Sequence, residues 1–261
     1  MVKIDGETMR RYKLGVLRGI LNDAGIAEEI VFSTLKTHDM EQHKEMLKNT
    51  PYFHEYDILI NDKEFLSRKM TNYLKTVRKV DTYIPARENM TVYQDAVKLA
   101  TTNGNWQKHP NQKRKEQKIQ LVTVLKPVMG KRGTKKDVPI NACVVHDKKT
   151  DKYFVFMTTD TTKTARQIIN TYKLRPEIEE DFRQMKNFWK LEDSKSTKYN
   201  YITYHIVMTL VGYLYFQMYK NLDEGKVYAG KSLPVVVKNY KETAQVGHHL
   251  CWAVFLHLSL P

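Results

Sequence analysis

In the first third of the chain, apolar residues recur at two-residue and then at helical spacing, in alternation. "YKLGVLRGIL" (12–21) and "AEEIVFSTLK" (27–36) read as strands, divided by the turn-like "NDAG" at 22–25. "HDMEQHKEML" from His38 reads as a helix, and "YDILIN" (56–61) as a short apolar strand that ends at Asp62. In "KEFLSRKMTNYLKTVR" (63–78), Phe65, Leu66, Met70, Tyr73, Leu74 and Val77 recur with helical spacing. "VDTYIPA" (80–86) is another strand. Strands alternating with helices predict an α/β fold, a mixed sheet with helices packed on its faces.

The pattern then changes. Residues Trp106 to Lys118 are polar and basic, and three β-branched runs follow: "IQLVTVLKPV", "VPINACVVHD" and "KYFVFMTTD". "GKRGTKK" and "KKTDK" are the expected loop tips. This segment reads as a small antiparallel sheet set between two α/β pieces. Helix returns near Thr164 and continues with interruptions to Lys220. The organisation expected is a first core piece over 1–90, a β-rich basic insertion over 91–160, a completing helical piece over 161–222 and a tail over 223–261.

Composition narrows the field. A chain of 261 residues with 41% hydrophobic and 11% aromatic residues is that of a folded protein with a sizeable core. The net charge of +14 favours a polyanionic partner, nucleic acid or an acidic membrane face. The two cysteines, Cys143 and Cys251, form no CxxC pair, and the nine histidines include no HExxH. A zinc ribbon, a redox motif and a disulfide scaffold are set aside, and a reducing compartment is expected. The charged N-terminus "MVKIDGETMRRYKLG" lacks the apolar core of a signal peptide. The uncharged run "YNYITYHIVMTLVGYLYFQMY" (199–219) is long enough to span a bilayer, but Asn200, His205 and Gln217 interrupt it. It is expected to be a buried core helix. The last residues, "QVGHHLCWAVFLHLSLP" (245–261), carry no Asp, Glu, Lys or Arg and are expected to be foreign to the fold.

One stretch carries candidate chemistry: "YKLRPEIEEDFRQMK", Tyr172 to Lys186. At helical spacing Tyr172, Arg175, Glu179 and Lys186 fall within an arc of about 60°. Pro176 predicts a kink or a fresh helix start, and the alignment of Glu179 with Lys186 survives it because both lie beyond the proline. Spacing alone leaves two readings open. One is a solvated charged face supported by an Arg175–Glu179 pair; the other is a site.

The spacing Tyr-x2-Arg-x3-Glu-x6-Lys, met here by Tyr172, Arg175, Glu179 and Lys186, resembles the signature of insertion-sequence transposases of the DDE type. "DILINDKEFLSR" resembles that family's strand bearing its second catalytic aspartate, here Asp62. "YKLGVLRG" (12–19) and "LRPEIEEDFRQMKNFWKLED" (174–193) are also similar to it, so the likeness runs from about Tyr12 to Lys238. It implies a ribonuclease-H-like core that cuts and rejoins the ends of a mobile element. It also implies Mg²⁺ or Mn²⁺ as cofactor, double-stranded DNA as partner, two copies acting together on DNA, and a bacterial cytoplasmic, nucleoid-associated setting with no membrane. Clustered carboxylates suit the task, since hard divalent cations take oxygen ligands and stabilise charge on phosphate oxygens.

The resemblance assigns Asp62 and Glu179 as catalytic, metal-holding carboxylates, and Tyr172, Arg175 and Lys186 as DNA contacts. Each has a plainer role beside it. Asp62 also suits a helix N-cap, worth ~1 kcal/mol. Glu180 is an adjacent rival to Glu179, and Tyr172 also suits the core. Lys108, Lys113, Arg114, Lys115, Lys118, Lys131, Arg132, Lys135 and Lys136 are candidate phosphate contacts. Trp106 is expected to pack in the core rather than stack on a base.

The family requires three carboxylates, the first on its first strand. Only eleven residues precede Tyr12, and Asp5 is the sole aspartate among them. That first aspartate and most of its strand are therefore expected to be missing. Three functions stay open: an active nuclease and strand transferase, a non-catalytic DNA-binding remnant of one, and a membrane-associated basic protein.

Overall fold

The computed structural model describes residues 2–4, 7–9, 12–21, 24–34, 36–51, 53–125, 137–194, 196–227, 231 and 234–240. Asp5, the loop tip at 130–136 with Lys131, Arg132, Lys135 and Lys136, and the tail at 245–261 lie outside the described residues. The chain divides into two compact units. One is built from Lys36–Pro176, the other from Met1–Leu35 with Glu177–Pro261.

The Lys36–Pro176 unit holds a six-stranded mixed sheet. Its strands are β5 (Ile58–Ile60), β6 (Asp81–Pro85), β7 (Gln107–Lys108), β8 (Gln117–Leu125), β9 (Ile140–Asp147) and β10 (Lys152–Thr158), in the order β5-β6-β10-β9-β8-β7. Only β5 and β6 run parallel, with Ile60 opposite Tyr83; the remaining pairs are antiparallel. The three runs expected as a separate small sheet are thus hydrogen-bonded into the same sheet as β5 and β6. The joint is the ladder of β10 against β6, with Met157 opposite Ile84. Sequence periodicity identifies strands but carries no information on which strands pair.

Helices cover both faces of this sheet. On one face α3 (Thr91–Asn103) sets Val92, Ala96 and Ala100 against Ile84, Ala142, Val144, Val155 and Met157. On the other α4 (Ala165–Tyr172) packs Ala165, Ile168 and Ile169 against Tyr83, Ile119, Cys143 and Val145. Burying each large aliphatic side chain contributes roughly 1.5–3 kcal/mol, and β9, sealed on both faces, contributes most densely. Trp106 packs against the α3-side core, as expected. The hydrophobic pattern does not disclose helix α3. Its buried stripe is Val-Ala-Ala, too small to stand out as apolar, and it ends at Gly104, whose left-handed φ of 68° caps it.

Helix α1 (Asp39–Asn49) begins on the His38 cap, whose side chain accepts from the Met40 amide. The helix expected across 63–78 is broken into three. A 3₁₀ turn at Lys63–Phe65 precedes α2 (Arg68–Tyr73), and a π-helical turn at Leu74–Arg78 closes on left-handed Lys79. The wider π turn shifts the register, so Leu74 is buried while Val77, expected on the same face, is 62% exposed. Tyr56, with φ 73°, turns the chain before β5 and shortens the expected strand.

The second unit contains the hairpins β1 (Val2–Ile4) with β2 (Glu7–Met9), and β3 (Tyr12–Leu21) with β4 (Ala24–Thr34). Three helices join them: α5 (Pro176–Trp189, in this unit from Glu177), α6 (Tyr199–Asn221) and the short α7 (Asp223–Lys226). A further helical stretch covers 234–240. Its core gathers Met185, Leu191, Leu210, Tyr213, Phe216, Val236 and Val237, with Leu14, Ala27 and Ile30 of the long hairpin against it. Helix α6 is not the wholly buried helix expected. Its buried side includes Thr209, Leu210, Tyr213, Phe216 and Gln217, while Tyr204, Met208 and Tyr215 are exposed.

Candidate active site

The parallel ladder of β5 on β6 positions Asp62. The Asn61 amide still donates to the Tyr83 carbonyl at 2.9 Å, and the chain then leaves the sheet. Asp62, extended at φ −76° and ψ 158°, caps the 3₁₀ turn that follows; its Oδ1 accepts from the Lys63 amide at 2.6 Å. The plain capping role is therefore real. It occupies one carboxylate oxygen. The other, Oδ2, accepts from Arg175 Nη2 at 2.7 Å, and both side chains are about one-third exposed or less.

Arg175 reaches Asp62 because α4 stops. Tyr172 is its last residue, and a turn closes with the Arg175 amide donating to the Tyr172 carbonyl at 3.1 Å. Pro176 then opens α5 at a position where no amide hydrogen is needed. Tyr172 and Arg175 thus do not share a helix with Glu179, as the proline predicts. The half-buried Tyr172 ring rests against Phe156, centroids 4.9 Å apart, so the core role holds for at least one of its faces.

Behind Asp62 stands His43, a residue passed over in the sequence because no ligand spacing surrounds it. It comes from α1, stacks on Phe65 at 4.4 Å, and its Nε2 lies 3.1 Å from Asn61 Oδ1. Burial pushes its pKa below the ordinary value, against an upward pull from the Asn61 contact. A neutral imidazole therefore backs the strand end.

In the other unit, Glu179 and Lys186 are both exposed on α5, seven residues apart, and Lys186 Nζ lies 2.7 Å from Glu192 Oε1. The acidic neighbours of Glu179 have identified partners. Glu180 accepts from Arg183 at 2.6 and 2.7 Å and from Gln184 at 2.8 Å, and the Arg183 hydrogen bonds lead in holding its carboxyl down at about 2. Asp181 is buried, ion-paired to Arg18 of β3, and accepts from the Tyr213 hydroxyl at 2.7 Å. Burial, and then the bond to this carboxylate, pushes the Tyr213 pKa up. Arg18 also meets Glu177 at 3.2 Å. Arg18 was legible only as a charge on a strand; nothing in its spacing announces a partner at residue 181.

Among the described residues, no three His, Cys, Asp or Glu side chains gather as a metal-holding group, and no helix is long and apolar enough to cross a membrane. The oxygen chemistry of Asp62 and Glu179 suits a hard cation. Lys108, Lys113, Arg114 and Lys115 are exposed, the last three on or next to a 3₁₀ turn at Gln112–Arg114 capped by Asn111. Lys118 is half-buried beside Lys148, whose charge lowers its pKa.

A mixed sheet covered by helices on both faces is consistent with the ribonuclease-H-like fold of the DDE transposases. Residues 11–215 match the sequence model of the transposase DDE domain, and the chain belongs to that family. Comparison with curated proteins gives no match.

Proposed function

We propose that this transposase chain cuts DNA at the ends of a mobile element and transfers the strand, with Asp62 and Glu179 as the metal-holding carboxylates. Mg²⁺ or Mn²⁺, when bound, supplies charge stabilisation at the attacking and leaving oxygens of the phosphodiester. Arg175 and Lys186 hold the flanking phosphates, the planar guanidinium in two-pronged fashion and the ammonium as a point charge. Tyr172 lies against the DNA backbone. Two copies hold the two ends.

The observation that carries this reading is the Arg175–Asp62 pair. Two residues 113 positions apart, each picked out by the family pattern, meet at a strand end. A merely solvated helix face does not call for that meeting.

The test is Mn²⁺-dependent nicking of supercoiled plasmid. The chain nicks DNA, and Asp62→Asn or Glu179→Gln reduces nicking at least ~100-fold while DNA affinity persists. DNA binding without nicking by the unaltered chain assigns it instead as a non-catalytic remnant. Nicking that vanishes in Asp5→Ala makes Asp5 the third carboxylate.

A further inference from the structure

Helix α6 carries a surface that its own unit does not use. From Tyr201 to Lys220 its exposed positions are Tyr201, Tyr204, Met208, Val211, Tyr215 and Met218, at steps of three and four residues. Leu222, the residue that ends the helix, continues the series and is 56% exposed. Along the stripe exposure runs from 37% at Val211 to 64% at Tyr204, and none of its residues is charged. The opposite face, which packs in the core, buries Thr209 and Gln217. Beside them lie Leu210, Tyr213 and Phe216, so the helix is apolar on its outer side as well as on its core side.

Regular three-four spacing is the pattern that lets one helix lie along another with its side chains in register. An isolated exposed apolar or aromatic residue needs no explanation, whereas a contiguous row of seven does.

We infer that this stripe is a self-association surface, and that its occupant is the same stripe of a second copy of this chain. Three observations select that occupant. The exposed area of the seven residues is on the order of 800 Å², the share one partner contributes to a standard stable interface. None of the seven side chains is charged, so two copies meeting along them bury no charge of the stripe itself; Glu28 and Glu29 of β4 border it at Val211. The surface is also grooved: a depression of about 290 Å³ along the stripe is lined by Trp189, Tyr201, Tyr204, His205 and Met208, room for side chains of a second helix. A two-fold arrangement uses the same patch on both partners. The inference gives the paired copies of the proposed function a surface, but it stands on the helix alone, so a failed nicking assay leaves it intact.

Val211 is the middle residue of the stripe and faces its own counterpart whether the two helices run parallel or antiparallel. This makes it the probe. In sedimentation equilibrium the chain forms a concentration-dependent dimer, and Met208→Glu with Tyr215→Glu shifts it to monomer by at least tenfold in dissociation constant. Circular dichroism checks that the variant remains folded. Under mild oxidation Val211→Cys gives a disulfide-linked dimer, whereas Asn200→Cys, exposed on the same helix but off the stripe, and the unaltered chain do not. A monomer at every concentration overturns the inference, as does a dimer indifferent to the two glutamates. Equal cross-linking at positions 200 and 211 overturns it too. Loss of DNA binding in the glutamate variant with no change in association state assigns the stripe to DNA and overturns it as well.

Discussion

Arg175 Nη2 lies 2.7 Å from Asp62 Oδ2, and the Asp62 Oδ1 caps the turn that begins at Lys63. One carboxylate thus ties the end of β5 to the exit of α4. The pair is partly exposed, at 27% for Arg175 and 33% for Asp62, so solvent screens it. A double-mutant cycle of Arg175→Gln and Asp62→Asn, followed by urea unfolding, is expected to give a coupling of roughly 0.5–1 kcal/mol. A coupling of zero would mean that the two side chains merely lie near each other.

The Arg18–Asp181 pair is of another kind. Both side chains are 12% exposed, and Tyr213 completes the Asp181 shell. Asp181→Ala leaves a buried guanidinium paired, among the described residues, with the half-exposed Glu177 alone, and is expected to cost about 3 kcal/mol in denaturant unfolding. Tyr213→Phe removes the hydroxyl that meets Asp181 at 2.7 Å and Gln184 at 3.2 Å and keeps the packing, for about 1 kcal/mol. Equal losses in the two variants would show that the hydroxyl bond from α6, not the ion pair to the hairpin, carries the stability at Asp181.

How far the sequence discloses this architecture depends on the kind of information each element needs. Strands β3, β4, β8, β9 and β10 are legible from alternation and β-branching, and so is the return of helix near Thr164, where α4 begins. The Tyr172, Arg175, Glu179 and Lys186 spacing and the strand end at Asp62 are legible as a resemblance. Strand pairing is not, because hydrogen-bond partners leave no trace in spacing; hence β8 to β10 read as a separate sheet. Helix α3 hides because alanine is weakly apolar, and the outer stripe of α6 hides because a helix apolar on every side reads as buried. His43 and Arg18 act through partners brought near only by the fold.

The pH dependence of stability follows from His43. In the unfolded chain its imidazole takes up a proton near pH 6.5, while burial delays that step to lower pH in the folded state. Between those values the unfolded state binds more protons, so stability is full above about pH 6.5 and falls as the pH drops toward the folded pKa. His109 acts in the same direction, lowered first by burial and then by Arg114 and Lys173. His43→Phe, which keeps a ring against Phe65, is expected to reduce the loss of stability between about pH 7.5 and about pH 5. Adding His109→Gln should reduce it further. An unchanged loss in the double variant would place the acid sensitivity elsewhere.

The basic turn before β8 sets the salt dependence of DNA binding. Lys113 and Arg114 belong to the 3₁₀ turn, and Lys115 follows it; all three are exposed. The turn is held by its own backbone and by Asn111, whose side chain accepts from the Lys113 amide at 2.9 Å, so replacing three side chains leaves its shape in place. Lys118 and Lys148 sit side by side close by in sequence and sheet, and the mutual repulsion that lowers the Lys118 pKa is relieved when an anion approaches. Each phosphate contact releases condensed counterions and contributes about 0.9 to the slope of log affinity against log salt. Lys113→Gln, Arg114→Gln and Lys115→Gln together are therefore expected to flatten the slope by up to about 2.7, with a weakening that is largest at low salt. Lys48→Gln, Lys69→Gln and Lys98→Gln remove the same charge from exposed positions on α1, α2 and α3. If that control flattens the slope equally, the effect belongs to the protein's net charge and the turn makes no phosphate contacts; if only the first triple variant does, the turn lies on the DNA.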